Sequence, residues 1–342
     1  MIARALRSVA SGRELSRDEI RAVISAIMAG EGEAVQIAAL LAALRTRGET
    51  LEEVIGAAQA MRDHAIELPE APPDAVDTCG TGGDGAGTFN ISTVAAIVVA
   101  GAGVPVAKHG NRAATSRCGS AEVLEALGIS LELAPARMAE AVREVGIGFL
   151  FARACHPAMA RVGPIRAALG IPTLFNRLGP LTNPMHVRHQ LVGVADPGLM
   201  EPTLRALCEL GVAGAWVVHG QDGLDELSTC AASEICFERD GEIEWRTIEP
   251  GKLVPRARPE DLEGGDAAEN AGIARAILAG EPGPRRDVVL LNAAAALCAA
   301  SAERALPEAL ERAAEAIDSG RARDLLERWV AFTRSEAASE GS

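Results

Sequence analysis

Residues 77–93 read DTCGTGGDGAGTFNIST, with glycine at 80, 82, 83, 85 and 87. Glycine at that density allows positive φ and lets a ligand approach the main chain closely. A loop of this kind before a helix start suits phosphate, because its N–H groups converge on an anion and the helix terminus adds positive potential. Two other loops share part of the pattern. Gly80, Gly82 and Gly85 satisfy G-x-G-x-x-G, but the dinucleotide fold expects an acid about 20 positions on to bond the ribose. Here the next apolar run, VPVA, leads into Lys108-His109-Gly110-Asn111-Arg112. Gly80 and Gly85 also have P-loop spacing, yet Ala86 stands where that motif needs lysine. A mere tight turn would need one or two glycines. The remaining reading is a phosphate or pyrophosphate cradle, with Asn90, Ser92 and Thr93 as added donors and cations from the Lys108 segment.

The second chemical feature is Asp225-Glu226 in GLDELS, after the apolar run AWVVHG. Neighbours on a regular strand face opposite sides, whereas a loop lets both point at one place. Paired carboxylates suit Mg²⁺ that also bridges substrate phosphates, although most such pairs are simply solvated. Arg166, in GPIRAALG, is either a carboxylate fork or an ordinary helix-surface cation.

These residues need a scaffold, and the sequence predicts an α/β fold with a small helical domain. In the first 70 residues Ser16 and Glu19 make a capping box, and Ile20, Val23, Ile24, Ile27 and Met28 recur on one helical face. AVQIAALLAALRTRG and the Thr50/Glu53-capped TLEEVIGAAQAMRDHAIELP read as further helices, and PEAPPD (69–74) as a linker. Beyond it, VDTC, VPVAKHG, QLVGVAD and AWVVHG alternate with STVAAIVVAGAG and SAEVLEALG, the rhythm of a mostly parallel sheet flanked by helices. A helical insertion, 157–190, interrupts it. The expected division is 1–70 completed by 157–190, then 75–156 with 191–335, and a frayed tail at 336–342.

Composition narrows the function classes. With 342 residues the chain can bury a large core. Its net charge of −14 and lack of tyrosine speak against nucleic acid and anionic membranes as partners. The seven cysteines include no C-x-x-C pair and read as reduced thiols. No apolar run approaches the roughly 20 residues of a membrane span, and the N-terminus lacks a signal-type core, so the expectation is a soluble cytoplasmic protein.

The run from Asp77 to Gly128 closely resembles the anthranilate phosphoribosyltransferases of tryptophan biosynthesis. So do HPAMARVGPIRAALGIPTLFNRLGPLTNP (156–184), VVHGQDGLDELS (217–228) and RDVVLLNAAAALCAA (286–300). The resemblance spans nearly the whole chain in the family's order. It implies a helical domain hinged to a larger α/β domain, a homodimer, and transfer of phosphoribosyl from phosphoribosyl pyrophosphate to anthranilate with two Mg²⁺ ions. By similarity, Gly80, Gly83, Asp84, Thr88, Asn90, Ile91, Ser92, Thr93, Lys108, His109, Gly110, Asn111, Arg112, Ala113, Ala114, Thr115, Ser116 and Ser120 line the phosphoribosyl pyrophosphate site. Gly80, Asn111 and Arg166 are assigned to anthranilate, and Ser92, Asp225 and Glu226 to metal. No residue is assigned as acid or base: neutralising the departing pyrophosphate and aligning a neutral amine behind the ribosyl carbon are enough. His109 and His156 flank the motifs and either orient the aromatic acid or satisfy buried groups. Arg153, Cys155 and the Arg117-Cys118 pair depart from the family pattern near the expected site. Two alternatives share the fold: a pyrimidine nucleoside phosphorylase, which would not need the acid pair, and a non-enzymatic nucleic-acid-binding relative, which would not keep the motifs.

Overall fold

The structure, a computed structural model, describes residues 1–113, 117–301 and 305–335. Ala114, Thr115, Ser116 and the 336–342 tail therefore lie outside the described residues.

The chain begins with four helices, α1 (Ile2–Ala10), α2 (Arg17–Met28), α3 (Ala34–Arg47) and α4 (Leu51–Asp63). Both capping boxes form, Ser16 with Glu19 and Thr50 with Glu53, so each helix start satisfies its orphan N–H groups locally. The Ile20-to-Met28 face of α2 is buried against α4.

The α/β part follows in the order β1 (Val76–Gly80), α5 (Ile91–Gly101), β2 (Val106–Gly110), α6 (Ser120–Leu127), α7 (Pro135–Glu144) and β3 (Ile147–Phe151). A short α8 (Ala152–Cys155) follows, and the insertion supplies α9 (Met159–Leu169) and α10 (Leu174–Leu178). Then come β4 (His189–Gly193), α11 (Met200–Glu209), β5 (Gly214–Gly220), β6 (Ser233–Arg239), β7 (Glu242–Ile248), α12 (Ala267–Leu278), α13 (Pro284–Ala299), α14 (Leu306–Asp318) and α15 (Arg321–Arg334).

The seven strands form one sheet in the order β3-β2-β1-β4-β5-β6-β7. The first five are parallel, and β6 and β7 add an antiparallel hairpin at one edge. From β1 the chain winds outward to β2 and β3, then returns to place β4 on the other side of β1. That reversal leaves a crevice at the carboxyl ends of β1 and β4, where open α/β sheets bind ligands. Helices α5 and α13 pack on one face and on each other, in a core that includes Ile97, Val98, Leu291 and Leu297. A second core joins α1–α4 to Leu204 of α11 and to Val192 and Val217 of the sheet. Within it α9 packs on α2 and α3, and α10 on α3 and α4, so the insertion meets the amino-terminal helices.

Candidate active site

The glycine loop leaves the end of β1 and crosses the crevice. Gly82, Gly83, Gly85 and Gly87 have φ of +66°, +87°, +66° and +68°, a region that side chains rarely adopt. A Cβ at any of the four would meet nothing within 4 Å, so conformation and not crowding demands glycine here. Among the described residues, the N–H groups of Gly83, Asp84, Gly85 and Gly87 find no hydrogen-bond partner. The loop is tethered at its far end, where Thr88 bridges Glu263 and Gly264 N–H donates to the Gly87 carbonyl at 2.9 Å. Asn90 then begins α5, donating to the Cys118 carbonyl at 3.1 Å and accepting from Asn270 at 3.0 Å.

The loop after β5 carries Asp225 and Glu226 into the same space. Asp225 Oδ2 accepts from Gly82 N–H at 2.8 Å, and Glu226 Oε1 accepts from Ser92 N–H at 3.1 Å. Each carboxylate thus ties to one side of the glycine segment. Desolvation and the neighbouring Asp84 push Asp225 up to about 7, while desolvation and Asp225 push Glu226 up to about 8. Crowded acids of this kind favour a cation between them. Among the described residues no group of three or more His, Cys, Asp or Glu side chains stands ready to enclose an ion. An incomplete, all-oxygen donor set with Ser92 beside it suits Mg²⁺, which keeps water and substrate oxygens in its shell.

Glycines at strand ends make this meeting possible. A Cβ on Gly80 would lie 2.6 Å from Asp225 Oδ2, and one on Gly193 would lie 1.5 Å from the Asp225 carbonyl oxygen. Gly193 also accepts from Thr81 N–H at 2.9 Å.

Lys108 and its neighbours act from several levels. Lys108 is buried, and its ammonium donates to the Thr78 carbonyl and stands 3.5 Å from Ser92 Oγ, beneath the loop instead of extended over it. Its charge offsets both Glu226 and the fully buried Asp77. Asp77 accepts from His109 N–H at 3.1 Å and from Asn183 Nδ2 at 2.9 Å, joining β1, β2 and the insertion. His109 Nδ1 donates to the Gly179 carbonyl at 3.1 Å, which leaves Nε2 buried without a partner among the described residues. His156 Nε2 donates to the Thr182 carbonyl at 3.1 Å, and the two rings lie 5.2 Å apart. Burial pulls His109 down to about 3 and His156 to about 4, so both are neutral rings at pH 7.

The other sequence candidates occupy varied positions. Ile91 and Thr93 are buried in the core flank of α5. Ser120 Oγ donates to the Asn111 carbonyl at 3.1 Å, closing the base of the 111–120 segment below Gly110. Arg112 forms a two-pronged pair with Glu125 at 2.7 Å, and Ala113 N–H is held by Glu122 at 3.2 Å. Arg166 is half-buried, donates to Asn176 Oδ1 at 3.2 Å and sits 5.7 Å from the Phe175 ring. No acid among the described residues pairs with it, and burial lowers its pKa. Of the departures from the family pattern, Cys155 is buried with its thiol pushed up to about 12, while Arg153 and Arg117 are exposed.

Three contributors escaped the sequence reading. Gly193, Asn270 and Asn292 touch the site's loops without having been assigned a site role, although Asn292 stands within the RDVVLLNAAAALCAA run. The available signals were a glycine ending QLVG and lone amides in apolar helical runs.

Residues 72–323 match the glycosyl transferase family a/b domain, and residues 3–65 its helical bundle domain. An anthranilate phosphoribosyltransferase of Symbiobacterium thermophilum is 54% identical over 337 residues, covering 97% of this chain and 99% of its own. The crystal structure of the Thermus thermophilus anthranilate phosphoribosyltransferase superposes with a TM-score of 0.92 at 46% identity, covering 97% and 99% of the two chains. The Saccharomyces cerevisiae enzyme in complex with phosphoribosyl pyrophosphate and Mg superposes with a TM-score of 0.90 at 27% identity, covering 98% of each. That yeast protein has also been solved with 4-fluoroanthranilate.

Proposed function

We propose that the crevice between β1 and β4 carries the reaction of the family to which this chain belongs, the anthranilate phosphoribosyltransferases of the glycosyl transferase family. The chain is a pentosyl transferase of tryptophan biosynthesis. It moves the phosphoribosyl group of phosphoribosyl pyrophosphate to the amine of anthranilate and releases pyrophosphate. The observation that carries the assignment to this crevice is the row of glycine-loop N–H groups without a partner among the described residues, in a loop to which Asp225 and Glu226 are tied at Gly82 and Ser92.

The N–H groups of Gly83, Asp84, Gly85 and Gly87 take the diphosphate. Lys108 adds its positive charge from beneath the loop, and Asn111 with Ser120 flanks the remaining phosphate and ribose. Asp225, Glu226 and Ser92 hold Mg²⁺, two ions by family resemblance, which neutralises the charge on the departing pyrophosphate when bound. Arg166, half-buried and without an acid partner among the described residues, grips the anthranilate carboxylate, with Asn111 and Gly80 beside the ring. Residues 1–70 with 157–190 form the unit bearing anthranilate, and 75–156 with 191–335 the unit bearing the phosphates. As C1–O cleavage builds oxocarbenium character, the rate gain comes from charge neutralisation and alignment.

The homodimer and the cytoplasmic setting follow from family resemblance and sequence. No helix among the described residues is long and apolar enough to cross a membrane. Loss of anthranilate fluorescence that requires both phosphoribosyl pyrophosphate and Mg²⁺ tests the function. Phosphate-dependent cleavage of a pyrimidine nucleoside in place of that loss would replace it.

A further inference from the structure

Asp225 and Glu226 belong to no helix or strand, yet two mutually repelling acids must stay aimed at one place. An unrestrained loop would turn them apart toward water. Residue 227 shows what prevents this. Leu227 is fully buried, so its main-chain N–H and C=O need partners inside the protein.

One side chain supplies both. Asn292 Oδ1 accepts from Leu227 N–H at 2.9 Å, and Asn292 Nδ2 donates to the Leu227 carbonyl at 2.9 Å. The amide thereby pairs with residue 227 as a neighbouring strand would. A second Nδ2 bond, to the Val288 carbonyl one turn earlier in α13 at 2.9 Å, fixes its orientation. Asn292 is itself fully buried, between Leu291 and Ala293 in a helix segment that is apolar on every side. Helix packing gives no reason for an amide at this position, and its bonds to Leu227 do. Two residues before Leu227 the missing side chain of Gly193 leaves room for the Asp225 carbonyl. The acid pair is thus seated at residue 225 and clamped at residue 227.

We propose that Asn292 is a positioning residue that sets the reach of Asp225 and Glu226 and so the affinity with which they hold a divalent cation together with the diphosphate substrate. This rests on the assignment of Asp225 and Glu226 as cation ligands. It separates Asn292 from an ordinary core amide, whose loss would lower stability and leave cation affinity alone.

Electron paramagnetic resonance of Mn²⁺ tests it, in protein mixed with phosphoribosyl pyrophosphate but no anthranilate. Thermal unfolding is followed alongside. Asn292→Leu and Asn292→Ser are compared with Asp225→Asn/Glu226→Gln. The double variant should lose the bound signal. Each Asn292 variant should raise the Mn²⁺ Kd about tenfold or more, since two buried main-chain groups lose their partner. The Mg²⁺ needed for half-maximal activity should rise in parallel, with the anthranilate KM unchanged. Wild-type Mn²⁺ affinity in the Asn292 variants, beside loss in the double variant, overturns the clamp. Wild-type affinity in the double variant instead removes the ligand assignment and the clamp with it. Should both Asn292 variants fail to fold, hydrogen exchange in the metal-free wild type decides. The Leu227 amide should exchange slowly, and exchange as fast as that of Gly85 overturns the proposal.

Discussion

Gly193→Ala adds one methyl group and should be far more damaging to catalysis than to folding. The φ of Gly193 lies outside the left-handed region, so alanine can adopt the backbone conformation there. Space is the obstacle. The new Cβ would fall 1.5 Å from the Asp225 carbonyl oxygen and 2.5 Å from its carbon. Non-bonded atoms rest near ~3.5 Å, so the segment bearing the two acids must retreat by about 2 Å. It cannot do so alone, because Asp225 holds Gly82 N–H at 2.8 Å and Gly193 holds Thr81 N–H at 2.9 Å. Overpacking of this sort costs about 1–3 kcal/mol of stability. A shift of even about 1 Å in groups that position substrate costs about 100-fold in rate. The fluorimetric assay across a Mg²⁺ series should therefore show kcat/KM reduced about 100-fold or more, with urea unfolding still cooperative. Gly272→Ala is the control: it is helical, and a Cβ there meets nothing within 4 Å. Wild-type kinetics in Gly193→Ala would refute the claim that the crevice depends on this close approach.

Three further outcomes can be checked. Gly83→Val, at φ +87° in open space, should raise the phosphoribosyl pyrophosphate KM or abolish turnover while circular dichroism stays native; unchanged kinetics would reject the cradle. Arg166→Ala should raise the anthranilate KM by about 10- to 150-fold and spare that of phosphoribosyl pyrophosphate, and lysine should rescue poorly because it lacks the planar fork; equal loss for both substrates would make Arg166 structural. His156 has a folded-state pKa of about 4 against an ordinary 6.5, so the unfolded chain binds the extra proton between those values and stability is lost as pH falls. Relative to His156→Gln, which cancels the titration of the carboxylates, wild type should lose about 1.4 kcal/mol per pH unit across that window in urea titrations, and a constant difference would show the ring already charged.

The parallel strands and their helices were legible because each carries its own signal. Val76–Gly80 and Val106–Gly110 are short runs that open on valine and close on glycine, and the capping boxes of α2 and α4 are local by construction. The β6–β7 hairpin was not anticipated, although Asp240-Gly241 between two alternating runs is a hairpin turn signal, and both residues take positive φ (+54° and +84°). In the site, the residue types of the glycine loop and the acid pair were readable, since their chemistry is intrinsic. Depth was not. Lys108 reads as a phosphate cation, but its place in a central strand buries its ammonium under the loop, where it offsets Asp77 and Glu226. Arg112 reads the same way and instead pairs with Glu125 on the following helix. Gly193 and Asn292 were invisible because their partners, Asp225 and Leu227, stand far away in sequence.

The two kinds of glycine divide the work of the crevice between them. Gly82, Gly83, Gly85 and Gly87 bend the main chain through conformations closed to side chains, and what this gains is a row of N–H groups without partners among the described residues. Gly80 and Gly193 have ordinary backbones, and their lack of a side chain brings the acid-bearing loop down onto the strand ends. The first set creates positive potential where a diphosphate would lie, and the second brings two carboxylates to its edge. Those charges attract each other directly, as the Asp225 bond to Gly82 N–H shows. A cation entering between acids and phosphates would compete for that carboxylate, releasing the Gly82 amide to the substrate. Metal and diphosphate binding should therefore reinforce one another, and the Mn²⁺ Kd in wild type should fall when inorganic pyrophosphate is present by more than pyrophosphate's own affinity for the ion explains.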